Sequence, residues 1–173
     1  RLFLTVLLGL FTISFTWTLA IPIGILSAVK QYSWMDYAFT FLSYFGVGTP
    51  NFLLALVVMY FALTVFDLNV TGLFSSEYAD APWSFGRVLD MLKHIWLPML
   101  ILGTDGTARF TRIVRANLLD EMTKPYVETA RAKGLAEWKV ILKYPTRIAL
   151  NPFVSTAGWA LPQLFSGSLI VAT

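Results

Sequence analysis

Cysteine is absent from the 173-residue sequence, and histidine occurs once, as His94. The absence of cysteine excludes disulfide bonds, thiol chemistry and cysteine metal sites, and one histidine cannot form a histidine metal cluster. Charge is also scarce: Asp, Glu, Lys and Arg make up 13% of the residues, whereas soluble domains carry about 25%. Hydrophobic residues make up 57%. This composition is typical of a protein that lies in a lipid bilayer, where a buried charge is costly.

Three runs of more than 25 residues carry no charge at all. Each is longer than the roughly 20 apolar residues that a membrane-spanning helix needs. A fourth run is less apolar because it contains Asp105 and Arg109. We count it as a span because the chain must cross the membrane there to place the charged segments before and after it on opposite sides. The sequence therefore predicts an all-α integral membrane protein, a polytopic helical bundle with spans at 2–29, 37–66, 92–111 and 148–173.

The charged residues are distributed unevenly between the predicted spans. Nine of the 13 Lys and Arg residues lie between Arg109 and Arg147, with only four acidic residues among them. The segment between the second and third spans is instead acidic on balance. Because basic residues remain on the cytoplasmic side of a membrane, we predict an external loop at 67–91 and a cytoplasmic segment at 115–147.

The cytoplasmic segment contains residues that are typical of the beginnings and ends of two short helices. Pro125 suits the first turn of a helix, where its missing N–H does no harm. Gly134 suits the end of that helix, because glycine takes the left-handed conformation at little cost. A second amphipathic helix is predicted at about 136–144, ending before Pro145. Such a helix pair either lies on anionic lipid or docks in a groove on a soluble protein, and composition alone does not separate these roles.

The string Tyr126-Val127-Glu128-Thr129-Ala130-Arg131-Ala132-Lys133-Gly134-Leu135 resembles the EAA loop of bacterial ABC importer permeases, in its dipeptide and oligopeptide form. Weaker similarity to the same family occurs at 21–28, 48–52 and 93–98, so that the resemblance covers nearly the whole chain. One departure lies after the second short helix, where Tyr144-Pro145 replaces the His-Ala that is usual in the family. Both ends of the chain lie at hydrophobic runs, and we expect an internal piece of a larger permease, with 1–173 forming one transmembrane domain.

The resemblance implies a bundle of the type I importer permease kind in the bacterial or archaeal inner membrane. Such a subunit forms the translocation pathway for peptides or similar small solutes. The implied partners are ATP-binding subunits on the cytoplasmic side, a second homologous permease subunit and an extracytoplasmic solute-binding protein. No enzymatic activity, cofactor or nucleic acid is implied, and the sequence holds no Gly-rich phosphate-binding loop of its own.

The resemblance also implies which residues couple the permease to the ATPase. Ala130 and Ala132 are expected to allow close approach to a groove on the ATPase, while Glu128 and Arg131 supply charge contacts. Gly134 is expected to permit the sharp turn between the two helices. The implied coupling residues are Tyr126, Glu128, Thr129, Ala130, Arg131, Ala132, Lys133, Gly134 and Leu135.

Asp105 is the conspicuous charge inside a predicted span. Arg109 lies four residues later on the same helix face, so we expect an Asp105–Arg109 ion pair. The alternative is a proton-coupled carrier or channel that uses Asp105, since intramembrane carboxylates are functional candidates. A membrane enzyme would need Asp105 together with His94, which lie about three turns apart and cannot meet on one helix.

Overall fold

The computed structural model of the chain describes residues 2–65, 74, 75, 77, 78, 82 and 84–155. These residues form helices and connecting turns, and the described part contains no strand, as the all-α prediction requires. Residues 151–155 are also helical. The named helices are α1 (Leu2–Val29), α2 (Trp34–Gly48), α3 (Asn51–Thr64), α4 (Phe85–Met122), α5 (Pro125–Ala132), α6 (Glu137–Lys143) and α7 (Pro145–Ala149).

Helix α1 coincides with the first predicted span. Its 28 residues rise by about 42 Å, and it is long and apolar enough to cross a membrane. It packs along α4 through small residues, which let two helices approach closely. A Cβ on Gly24 would lie 2.7 Å from the Cβ of Val114. Ala20 and Val114 form a buried cluster with Phe153, so that the chain after α7 closes over the same pair of helices.

The second predicted span, 37–66, is not one helix. It is divided between α2 and α3, which are bent by 103° across a short break. Thr49 is extended at φ −92° and ψ 118°, as expected for a residue that precedes proline. The carbonyl of Pro50 then accepts from the N–H groups of Leu53 and Leu54 and starts α3. Proline thus interrupts an uncharged run that composition alone presents as continuous.

Helix α4 extends the third predicted span in both directions. It contains 38 residues and rises by about 57 Å. Its first turn is capped by Ser84, whose hydroxyl accepts from the N–H of Arg87 at 3.3 Å. Residues 85–91 are therefore helical within the predicted external loop, and the external position of that loop stays a prediction. Residues 67–73, 76, 79–81 and 83 of that loop, and the last predicted span from residue 156 onward, lie outside the described residues.

Candidate coupling site

Helices α5 and α6 form a short helical hairpin beyond the end of α4, here called the coupling element (residues 125–143). Pro125 occupies the first turn of α5, and Gly134 takes φ +75° immediately after the helix. The N–H of Gly134 donates to the carbonyl of Arg131 at 2.9 Å. Both predictions about these two residues are confirmed. The second helix spans Glu137–Lys143, one residue shorter at each end than predicted.

The coupling element has a small hydrophobic core of its own. Val127, Ala130 and Val140 are buried against one another, with Tyr126 and Tyr144 packed at the edge. Ala130 is 4% exposed, so the close approach that it permits is between α5 and α6. The expected close approach of α5 to a groove on the ATPase at Ala130 stays a prediction. Tyr144 contributes to this core, and Pro145, its partner in the departure from the family pattern, begins α7.

Tyr126 fastens the coupling element to α4. Its hydroxyl donates to Oε2 of Glu121 at 2.6 Å. Burial and this hydrogen bond to a carboxylate raise the pKa of Tyr126 to about 12. A hydrogen bond to a charged acceptor is stronger than one between neutral groups. The start of α5 is thus fixed relative to the last turn of α4.

An ion pair closes the turn around Gly134. Nη2 of Arg131 lies 2.7 Å from Oε1 of Glu137, and its Nε lies 3.1 Å from both carboxylate oxygens. The guanidinium lowers the pKa of Glu137 below its usual range, and the carboxylate raises the pKa of Arg131. Arg131 was expected to make charge contacts with a partner. In this structure it joins α5 to α6, and its contact with a partner stays a prediction.

The other predicted coupling residues lie on the outer surface of the coupling element. Its exposed members on α5 and the following turn are Glu128, Thr129, Ala132, Lys133 and Leu135. The hydroxyl of Thr129 donates to the carbonyl of Pro125 at 2.9 Å. Two apolar side chains that were not predicted, Trp138 and Leu142, also lie on this surface and are 62% and 49% exposed. Their spacing of four residues on an amphipathic helix was the signal that could have identified them.

Residues 20–173 match the family described as the binding-protein-dependent transport system inner membrane component. The chain belongs to this family. The oligopeptide transport system permease protein AppB of Bacillus subtilis (strain 168) is 35% identical over 167 residues, which are 96% of this chain and 51% of that protein. The dipeptide transport system permease protein DppB of Escherichia coli (strain K12) is 29% identical, over 98% of this chain and 55% of that protein. The chain thus spans about half the length of the curated relatives it matches.

Asp105 and Arg109 lie next to each other on α4 of this inner membrane component. Nη2 of Arg109 is 3.2 Å from Oδ2 of Asp105, and the Arg109 side chain is 64% exposed. The carboxylate therefore has a cation four residues away on its own helix, which is the arrangement of a local helical ion pair. Among the described residues no group of three or more His, Asp or Glu side chains could hold a metal ion.

Another ion pair of this inner membrane component, Asp36–Arg115, was not predicted. Both carboxylate oxygens of Asp36 accept from Arg115, Oδ1 from Nε and Oδ2 from Nη2, each at 2.7 Å, and the two residues are 79 positions apart. One signal was present in the sequence. Arg115 has no acidic residue three or four positions away on its own helix, so its partner had to come from another element.

Proposed function

We propose that this chain is part of the membrane-spanning subunit of an ATP-driven importer. In this proposal it forms part of the translocation pathway for peptides or similar small solutes. The coupling element receives the movement of a separate ATPase subunit. Support comes from membership of the family and from relatives whose names describe oligopeptide and dipeptide permeases.

The observation that carries the proposal is the outward face of α5. Val127 and Ala130 point into the core of the coupling element, and Glu128, Thr129 and Ala132 are exposed on the other side. The inner face of α5 is packed against α6, and its outer face is free for a partner. Docking of an exposed helix face in a groove is a common mode of recognition. Helix α5 follows the long helix α4 directly in the chain. A partner that moves α5 therefore also pulls on the end of α4.

The mechanism follows from differential binding. An ATPase that changes shape with ATP binds one conformation of the coupling element better than another, and this difference shifts the permease between inward-facing and outward-facing states. In this proposal ATP is bound by the partner ATPase subunit. A second homologous permease subunit completes the pathway, and an extracytoplasmic binding protein delivers the solute.

The test is co-purification of the full-length permease with its ATP-binding subunits. The variant Glu128→Lys/Ala132→Arg changes only exposed positions of α5 and leaves the core of the coupling element intact. We expect the amount of permease in the membrane to be unchanged and the co-purified ATPase to fall sharply, because like charges or bulk placed across an interface cost several kcal/mol. Lys30→Glu, an exposed charge reversal in the α1–α2 turn, is the matched control. Undiminished co-purification with the α5 variant would contradict the proposal.

A further inference from the structure

Asp36 is a buried carboxylate at the start of α2. Its side chain is 3% exposed, although it lies in the first turn after the N-cap Ser33. Burial of a carboxylate is costly unless it is paired and hydrogen-bonded. The contacts of Asp36 must therefore offset the cost of its burial, and they indicate what the residue does.

The contacts of Asp36 join three parts of the chain. From α1, the hydroxyl of Ser27 donates to Oδ1. From the α1–α2 turn, the N–H of Tyr32 donates to Oδ2 at 3.0 Å. From α4, Arg115 makes the two-pronged contact described above. Such a paired geometry between guanidinium and carboxylate fixes orientation as well as distance, so that the turn and α4 are held in one relative position.

The turn that Asp36 holds is strained. Tyr32 has φ +62°, the only positive φ at a non-glycine residue in the described part of the chain. A left-handed conformation is unfavourable for such a residue and persists only where its surroundings impose it. The hydrogen bond from the N–H of Tyr32 to Asp36 is part of what imposes it. The shape of the α1–α2 turn thus depends on a carboxylate that is itself oriented by Arg115.

Elsewhere, α2 and α4 meet through contacts that fix their geometry less strictly. The guanidinium of Arg112 on α4 lies 4.5 Å from the centre of the Tyr44 ring on α2. Near the far end of α2, a Cβ on Gly46 would lie 2.9 Å from the Cβ of Ala108, so the backbones touch there through small residues. On one side the two helices are separated by a cleft of about 630 Å³, lined among others by Thr40, Tyr44 and Ala116. Small-residue contacts allow sliding and rotation, whereas the Asp36–Arg115 pair resists both.

Arg115 lies on α4 about two helical turns before Met122, where the helix ends and the coupling element follows. We propose that Asp36 and Arg115 are positioning residues that carry the movement of the coupling element from α4 to the α1–α2 hairpin. This inference rests on the proposed function, since it assumes that an ATPase moves the coupling element. Without the pair, α4 moves and α2 fails to follow.

The experiment separates this mechanical role from stability. Removing one partner, as in Asp36→Asn or Arg115→Gln, leaves a buried group uncompensated and is expected to reduce the amount of assembled complex. The double variant Asp36→Asn/Arg115→Gln removes both charges and should recover assembly. Each is assayed in the full complex, with permease, ATPase and binding protein, in proteoliposomes. The control is Asp120→Asn/Lys124→Gln, which removes an exposed ion pair with an N···O distance of 3.5 Å.

We expect the double variant to hydrolyse ATP but to transport at least about fivefold less solute per ATP, the lower end of typical coupling between sites. The control should keep the wild-type ratio. Normal transport per ATP in a well-assembled double variant would overturn the inference and leave the proposed function standing. A wild-type complex that transports without ATP, or binds no ATPase, would overturn the proposed function itself, and the inference with it.

Discussion

Gly134 allows the coupling element to be tested by changing a single backbone preference. At φ +75° its conformation is left-handed, and a Cβ at this position would meet no heavy atom within 4 Å. A substitution therefore introduces no clash, and its cost lies in the backbone. For an ordinary L-residue that cost is about 1–2 kcal/mol, which lowers the population of the native turn relative to a rearranged one by a factor of about 5–30.

This cost predicts an order among variants. Gly134→Asn should be the mildest, because asparagine is enriched in the left-handed region. Gly134→Ala should be intermediate, and Gly134→Val the most severe, because β-branching makes positive φ still less favourable. Rearrangement of the turn breaks the hydrogen bond from Gly134 to Arg131 and separates Arg131 from Glu137. We therefore expect solute transported per ATP hydrolysed to fall in the order Gly, Asn, Ala, Val.

The assay measures ATP hydrolysis and solute uptake by the complete complex in proteoliposomes. Gly48 supplies the control, because a Cβ there would also meet no heavy atom within 4 Å, whereas its φ is not positive. Gly48→Ala and Gly48→Val should leave the ratio unchanged. Equal coupling by all three Gly134 variants would refute the reasoning, as would equal uncoupling by the Gly48 variants.

Three further predictions concern other parts of the chain. Tyr126→Phe should lower the free energy of unfolding by about 1–2 kcal/mol, because the hydrogen bond to Glu121 is lost. Folding raises the pKa of Tyr126 from 10.0 to about 12, so this stabilisation is complete below pH 10 and is lost as the pH rises towards 12. Unfolding curves at several pH values measure the loss. Gly24→Ala should cost about 1–3 kcal/mol by overpacking α1 against α4, seen as a lower midpoint of thermal unfolding. Asp105→Asn should leave uptake and its pH dependence unchanged in proteoliposomes; loss of uptake, or of its response to pH, would favour a proton-coupled carrier.

Features set by neighbouring residues were predictable from the sequence. The uncharged run at 2–29 predicted α1, and Pro125 and Gly134 predicted the bounds of α5. These features depend on helix length, on the missing N–H of proline and on the freedom of glycine, each of which acts within a few residues. The packing of α5 against α6 could not be predicted in the same way, because the direction in which Ala130 faces depends on where α6 folds back.

Features that depend on distant residues were not predictable. The Asp36–Arg115 pair joins positions 79 apart, and its formation requires that α1, α2 and α4 first pack together. The size of the bend between α2 and α3 had a local signal in Pro50, but proline within an apolar run is also compatible with a gently kinked span. Tertiary packing selects between these outcomes, and one sequence carries no direct record of that packing.

The way in which the coupling element is attached decides how it can move. At its entrance, Tyr126 is hydrogen-bonded to Glu121 of α4. At its exit, α7 returns to the same stretch of α4, where Ala149 packs against Leu118. Both attachments therefore lie within one turn of each other on α4. A force on the outer face of α5 cannot open the hairpin without breaking its core, so it displaces the end of α4 together with α7. Arg115 lies about one turn before Leu118 on α4, and in the proposal made above its ion pair carries that displacement to α2.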